Sequence, residues 1–522
     1  MWLAAVVLSV ALLGLRLDLS RILGLGDGEA LFFAYGFHPQ PGYLNYPGLI
    51  GWLARCFGPD ASSFVIHVWT AAAATALPWL GVLAARACGA RGTTALRTYF
   101  ALALLPELCL GASAFTPDLP FSLFWLAALA CAGGALRHPP ASFRSLLASL
   151  GAGVAAALCC LSKHTGWLLA LSLAWVVLER PQAERRRTLA PWAAAFVLAI
   201  LVAPLLRWWL SHGPGMHLGL LSWQQTLGVL LRPLVAATPP FLFAGALVAS
   251  DLLRSERQSP IDRLLRINLL APLMPLLLLA VCAGGDGGWL TPAYLTLAVH
   301  TARTPPLPRR LLQSCVGLGS ALALLGWCWL RTDLPFLCGQ LLGGYEPTWD
   351  TTSDWYAWGP GRPLLESVVK GARERTGQQP LIVGPHWAVC AQADVALGGR
   401  AAVGCDSTAL DDYDDWLPSA RWPDAETIVF VTDSRFAETV PDTLYGRPLV
   451  AVHDEEVKRF GRVVRHLFVA EFDRDDASAA SRWRTAPGKD SRTVSSDIQV
   501  SSGDESAPAK PFPTGCTSTG PR

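Results

Sequence analysis

The 522-residue sequence is short of charge. Asp, Glu, Lys and Arg make up 16% of it and apolar residues 52%, where soluble chains carry about 25% charged residues. The mean hydropathy is +0.35. This shortage excludes an ordinary soluble globule and points to a polytopic membrane protein with a soluble appendage. An excess of one sign is lacking too: the net charge is +2, so nothing argues for a nucleic-acid partner. Thirteen cysteines contain no CxxC. Cys159 and Cys160 lie in an apolar run and read as small buried hydrophobes. Cys390 and Cys405 lie in the soluble part, where an extracytoplasmic setting would allow a disulfide. The opening run MWLAAVVLSVALLGL has no basic n-region and no A-x-A-like site after it. It reads as a retained first span rather than a cleaved signal. Internal repeats are absent.

What is present is a series of apolar runs. A helical span needs about 20 mostly apolar residues. The sequence predicts about eleven, near 2–17, 64–85, 98–115, 118–136, 145–161, 165–179, 189–210, 236–251, 267–283, 289–302 and 311–330. Alternate loops differ in basic residues. The loops 86–97, 137–144, 180–187, 254–266 and 303–310 hold sixteen arginines, whereas the other set holds six basic residues, Arg16, Arg21, Arg55, Lys163, Arg207 and Arg232. The excess of Lys and Arg in cytoplasmic loops then puts the N-terminus inside. The loop 18–63 and everything after residue 331 fall outside, in a multi-pass protein of the plasma (inner) membrane.

After residue 331 hydropathy falls. PLIVG (380–384) and ETIVFVTD (426–433) are short apolar runs bounded by turn residues, the pattern of buried strands, with a helical pattern at 362–375. Residues 335–473 read as a small extracytoplasmic α/β domain after a transmembrane domain 1–334. Residues 474–522, rich in Ser, Asp, Arg, Pro and Gly, read as disordered.

The polar residues gather in the outer loops: GDGEA, FTPDLP, LSKHTGW, SHGPGMHLGLLSWQQ and GGDGGWLTPAY. Asp27 and Glu29 are either the acidic start of a helix, partners of Arg21 or Arg55, or a catalytic carboxylate pair. Asp118 is either a helix cap or a pocket residue. Lys163 and His164 interrupt two apolar runs. A lysine there either snorkels to the headgroups or binds a substrate phosphate, since an unpaired one is costly. Arg55 reads as an interface anchor. His212 and His217 read as surface residues or phosphate contacts; their H-x4-H spacing lacks a third metal ligand. Trp223 and Trp289 are belt residues or sugar-stacking rings. GGDGG (284–288) lacks the Lys-Ser/Thr of a phosphate loop.

The stretch GDGEALFFAYGFHPQPGYLNYPGLIGWL resembles the first outer loop of glycosyltransferase family 39, the GT-C proteins that include protein O-mannosyltransferases and the lipid A aminoarabinose transferase. That loop reads D-E-A-x-Y-W and then G-Y-Y-D-H-P-P-L. Glu29 and Ala30 match the first block; Gly42, Tyr43, Pro47 and Leu49 match the second. TPDLP (116–120), LSKHTGWLL (161–169) and WLTPAYL (289–295) are similar to later family motifs, in the same order. PHWAVCAQADVAL (385–397) and DDYDDWLP (411–418) have the look of the family's outer domain. The chain departs from the pattern where Gly28, Asn45 and Tyr46 stand in place of Asp, Asp and His.

The resemblance implies a GT-C-like helical membrane fold. It also implies an enzyme that moves a sugar from a polyprenyl-phosphate donor to a lipid, glycan or protein acceptor, with inversion and without cofactor or metal. Asp27, then Glu29, would be the carboxylate base. Asp118, Lys163, His164, Arg55, Tyr43, Asn45, His217 and Trp289 would bind donor phosphate or substrate. Two other readings stay open: a transporter or flippase for a lipid-linked substrate, and an inactive relative that serves as a scaffold. A transporter would place polar, broken helices near the midplane in repeated halves, and the polar residues here lie at one face.

Overall fold

A computed structural model describes residues 1–179, 189–212, 237–254, 259–283, 290–347, 350–436 and 440–474. The tail expected to be disordered lies outside these residues from 475 onward. In chain order the helices are α1 (Trp2–Ser20), α2 (Asp27–Ala34), α3 (Leu49–Phe57), α4 (Ser63–Ala87), α5 (Leu96–Leu104), α6 (Pro106–Gly111), α7 (Asp118–Arg137), α8 (Phe143–Ser162), α9 (Gly166–Leu178), α10 (Ala190–His212), α11 (Thr238–Arg254), α12 (Pro260–Ala283), α13 (Thr291–His300), α14 (Arg309–Arg331), α15 (Leu334–Leu341), α16 (Asp354–Thr376), α17 (Trp387–Ala396) and α18 (Asp412–Trp416).

Six of the described helices, α1, α4, α7, α8, α10 and α14, are long and apolar enough to cross a membrane. Their outer surfaces are apolar as well. Leu210 on α10 is 89% exposed, and Phe196, Ile200, Leu324 and Leu325 are exposed with it. Such a surface suits hydrocarbon and not water. Serine caps begin two of the helices: Ser62 accepts from Val65 N–H before α4, and Ser142 accepts from Ser145 N–H before α8.

Three of the eleven anticipated spans are shorter than a crossing requires. The run 98–115 breaks at Leu105, which is extended (ψ 119°) ahead of Pro106. The proline ring drives the preceding residue out of the helical region, so α5 and α6 are separate pieces. Helix α9 has 13 residues and α13 has 10. At 1.5 Å per residue both fall short of a core about 30 Å thick. The described helices therefore do not establish eleven spans.

Among the described residues, arginines of the richer loop set meet at one end of the bundle. At one end of the bundle Arg137 donates to Arg86 O (2.9 Å), Arg97 to Thr304 O (3.0 Å), Arg303 to Asp262 (2.5 Å), and Arg263 lies 3.8 Å from Glu179. These contacts join the arginine-rich loops to one another. At the other end the first loop meets the turns before α7 and α9, and the sheet packs there.

The sheet has strands β1 (Leu381–Gly384), β2 (Val403–Cys405), β3 (Thr427–Asp433), β4 (Thr443–Leu444), β5 (Arg447–Arg459) and β6 (Arg462–Asp473), in the order β2-β1-β3-β6-β5-β4. β1 pairs parallel with β2 and β3; the remaining pairs are antiparallel. All seven residues of β3 are buried, as suits a central strand covered on both faces. The runs read from the sequence as PLIVG and ETIVFVTD are β1 and β3. The long β5–β6 hairpin turns on Phe460 (φ 49°) and Gly461 (φ 77°). Two left-handed residues in a two-residue loop match the right-handed strand twist.

The hairpin also ties the sheet to the bundle. Arg459, buried at the hairpin tip, pairs with Asp350 at 2.8 Å, donates to Thr352 Oγ1 at 2.9 Å, and bonds Trp329 O at the end of α14. Residues 1–475 accordingly form one compact unit.

Candidate functional site

The site is built from the first loop upward. Helix α2 begins at Asp27 because Glu29 folds back and accepts from Gly26 N–H at 2.9 Å, half of a capping box. The same carboxylate accepts from three distant donors. Phe115 N–H reaches Oε1 at 2.7 Å, Trp355 Nε1 reaches Oε2 at 2.6 Å, and His67 Nε2 lies 3.1 Å from Oε1. Burial alone would push the Glu29 carboxyl up. The hydrogen bond and charge of His67 and the Phe115 and Gly26 amides outweigh it, and the net direction is down. Glu29 stays ionised and holds Phe115, three residues before Asp118.

Asp27 points the other way. Its Oδ2 takes Arg435 Nη1 at 2.6 Å and its Oδ1 takes Gln392 Nε2 at 3.0 Å. Arg435 also grips Asp433 (2.7 Å) and Asp354 (3.1 Å), and Arg465 reaches Asp354 at 2.6 Å. Three carboxylates thus share two guanidiniums where the loop meets the sheet. Burial and the Asp27 charge push the Asp354 carboxyl up. Burial and Arg435 push the nearby His386 imidazole down.

The rest of the first loop is clamped to the sheet domain. Asp412 accepts from Tyr35 Oη and from Leu44 N–H, each at 2.7 Å. His38 lies 3.3 Å from Asp394 and stacks on Trp416, ring centroids 4.0 Å apart. Tyr43 is fully buried, stacks on Tyr35 at 3.7 Å, and donates to Tyr35 O at 2.8 Å. The two soluble-domain stretches singled out in the sequence, 385–397 and 411–418, are therefore the parts that grip this loop.

The remaining candidates form a second, more open group. Lys163 Nζ donates to Asp118 Oδ1 at 2.7 Å. The Lys163 side chain is 8% exposed and that of Asp118 39%. Lys163 ends α8 in extended backbone (φ −150°, ψ 148°), and the chain re-enters a helix at Gly166. A Cβ on Gly166 would stand 2.2 Å from Cys159 O, so only glycine allows this tight reversal. His164 Nε2 lies 3.0 Å from Asn45 O, and its ring stacks on Trp209. Burial, with Lys163 adding to it, holds the His164 imidazole below its ordinary range.

The sequence-predicted residues therefore divide in two. Asp118, Lys163, His164 and the Asn45 backbone converge. Asp27, Glu29 and Tyr43 build the buried joint between the first loop and the sheet. Glu29 links the groups through Phe115. Arg55 is exposed on α3. His217, Trp223 and Trp289 lie outside the described residues. Cys390 and Cys405 are buried free thiols, with Cys390 Sγ 3.3 Å from Gly404 O. Sequence reasoning missed His67, Trp355, Gln392, Arg435 and Asp354. Each acts on a residue far away in the chain, and no local pattern marks it.

The helical bundle thus carries its mixed sheet at the end that holds these polar groups. Residues 47–208 match the family model described as dolichyl-phosphate-mannose-protein mannosyltransferase. The match starts beyond Asp27 and Glu29 and includes Asp118 and Lys163. No curated protein matches the sequence. Among solved structures the chain is similar to ArnT from Cupriavidus metallidurans bound to undecaprenyl phosphate. That likeness has 15% identity, covers 90% of this chain and 97% of that one, and has a TM-score of 0.58. The apo form of ArnT gives 14% identity, the same coverage and a TM-score of 0.57.

Proposed function

We propose that the protein is a membrane glycosyltransferase that moves a sugar from a polyprenyl-phosphate donor to a lipid, glycan or protein acceptor. In this reading it lies in the inner membrane, with a cytoplasmic N-terminus and the sheet domain outside. The observation that carries the reading is the Asp118–Lys163 pair: an ammonium and a partly exposed carboxylate 2.7 Å apart at one end of an apolar bundle. The family match over 47–208 and the arginine-rich loops at the opposite end support it. So does the fold shared with ArnT, whose solved structure holds undecaprenyl phosphate.

Lys163 offsets charge on the leaving phosphate, and His164 lines the same turn. A carboxylate takes the proton of the acceptor hydroxyl while that oxygen attacks the anomeric carbon. The phosphate departs from the opposite face, so configuration inverts. We assign the base to Asp27. Arg435 and Gln392 fix the orientation of its carboxylate, and each of its oxygens keeps a lone pair beyond those bonds. Glu29 acts by holding the turn that carries Asp118. One observation favours a second reading in which Asp118 is the base: its carboxylate is 39% exposed and that of Asp27 only 6%.

The test is mass spectrometry of glycolipids, glycans and glycoproteins from a deletion strain complemented with wild type, Asp27→Asn or Asp118→Asn. The deletion loses one sugar modification and wild type restores it. A well-folded Asp27→Asn that fails to restore it supports Asp27 as base, with a loss of about 10²–10⁴-fold in rate. Near-normal restoration by Asp27→Asn removes Asp27, and failure of Asp118→Asn then transfers the role. No change on deletion rejects the enzyme reading.

A further inference from the structure

A cavity of about 330 Å³ opens between α1, α4, α6 and α14, and neither Asp118 nor Lys163 lines it. Its size is at the low end of the roughly 300–1,000 Å³ typical of small-molecule sites. Leu12, Leu15 and Leu19 line it from α1, facing Trp327 and Leu330 of α14. Spacings of three and four put the leucines on one helix face, and Arg16 shares that face.

Arg16 is the unusual member. It is 9% exposed, yet its guanidinium meets neutral acceptors: Ser113 Oγ at 3.2 Å, Thr75 Oγ1 at 3.2 Å and Cys109 O at 3.0 Å. Among the described residues no carboxylate forms an ion pair with it. Asp18, two residues on, is engaged by Arg331 (3.3 Å) and Trp327 (3.0 Å). Glu29, the acid that lines the cavity, is taken by His67, Trp355 and two backbone amides. A charge inside a spanning helix is costly without a partner and marks function by default. Three of the five guanidinium N–H donors are used by neutral groups, and an anion would make stronger, charge-assisted bonds.

We propose that this cavity binds a long-chain amphiphile with a phosphate headgroup, the phosphate on Arg16 and Ser113 and the chain along Leu12, Leu15 and Leu19. The site is separate from the Asp118–Lys163 pair. Arg16 lies four residues before the end of α1, about 6 Å below it at 1.5 Å per residue. A headgroup reaches that depth while its chain stays in hydrocarbon. A membrane phospholipid and a polyprenyl phosphate carry the same recognised chemistry.

Native mass spectrometry of the full chain in neutral detergent tests this, with phosphatidylglycerol, phosphatidylcholine and undecaprenyl phosphate as probes. The wild type should retain one equivalent of phosphatidylglycerol at least tenfold more tightly than phosphatidylcholine. Arg16→Gln should lose the preference for phosphatidylglycerol over phosphatidylcholine and Lys163→Gln should keep it. Undecaprenyl phosphate, for which Lys163 is itself proposed as a contact, is compared in the Lys163→Gln background. Equal retention of both anionic probes identifies membrane phospholipid as a source, and retention of undecaprenyl phosphate alone identifies the carrier lipid. Ala323→Phe fills the cavity from α14 with Arg16 intact, so it should also lose binding, even where Arg16→Gln fails to fold. Equal retention of phosphatidylcholine and the anionic probes by the wild type overturns the proposal. So does unchanged binding by folded Arg16→Gln or by Ala323→Phe, or loss of the preference in Lys163→Gln alone. The readout is binding, so it stands or falls independently of sugar transfer.

Discussion

Arg435 Nη1 donates to Asp27 Oδ2 at 2.6 Å, across 408 residues of sequence. The bond joins the start of α2 to the end of β3. It makes the first loop and the sheet one structure, so the carboxylate assigned as base is also part of the joint between them.

Removing Arg435 should therefore be severe. Arg435→Ala leaves Asp354 and Asp433 with Arg465 as their guanidinium and Asp27 with the neutral Gln392. Stripping one partner from a buried pair costs about 3–5 kcal/mol, with the lower end expected here because Arg435 is 25% exposed. Thermal unfolding in detergent measures it. Wild-type stability in Arg435→Ala would mean the cluster does not hold the joint.

Glu29→Gln should harm both stability and activity. An amide keeps one acceptor oxygen where the carboxylate serves Gly26, Phe115, His67 and Trp355, so at least one buried donor is stranded, at about 1–3 kcal/mol. The Asp118 turn loosens through Phe115, and transfer falls with it. His67→Gln keeps a donor toward Glu29 and should be milder on both counts. A reversed order would remove Glu29 from its positioning role.

Gly166→Ala should disturb the Lys163 turn, because its Cβ would lie 2.2 Å from the Cys159 carbonyl oxygen. Overpacking of this kind costs about 1–3 kcal/mol, and donor binding should weaken alongside. Gly28→Ala is the matched control: nothing lies within 4 Å of its Cβ, and alanine suits a helix better by up to about 1 kcal/mol. Equal behaviour of the two variants in unfolding assays would contradict the packing argument.

Asp411 should give the sheet domain a pH dependence. Burial, with Asp414 and Asp412 adding to it, pushes its carboxyl up to about 6. A carboxyl whose folded value exceeds its unfolded value of about 3.9 binds its proton more tightly when folded. Its contribution is full below about pH 4 and is lost as pH rises through 6. Asp411→Asn keeps a capping oxygen for Tyr413 N–H and removes the titration. The wild type should thus lose stability relative to Asp411→Asn between pH 4 and pH 7, followed by melting temperature. Parallel pH profiles would rule Asp411 out as the source.

The features legible in the sequence were those written locally. The apolar runs at 2–17, 64–85 and 311–330 foretold α1, α4 and α14, because hydrocarbon demands a continuous apolar stretch. Arginine counts picked out one set of loops, and the contacts Arg137–Arg86 and Arg97–Thr304 join described members of that set. PLIVG and ETIVFVTD foretold β1 and β3, because a strand buried on both faces has a continuous apolar run at its centre, here residues 428–431 in β3. The run 98–115 misled because hydropathy does not register the break that Pro106 imposes at Leu105.

By itself, then, the sequence determined a polytopic membrane chain with polar loops gathered at one end and buried strands near its C-terminus. Composition and period are sums over neighbours in the chain, and they carry that much. The tertiary structure alone decided the partners of each charged group. It set Asp27 on Arg435, Glu29 on His67 and Trp355, Lys163 on Asp118, and left Arg16 among neutral acceptors. A carboxylate's environment depends on what lies within a few ångströms, and here those neighbours come from up to 408 residues away.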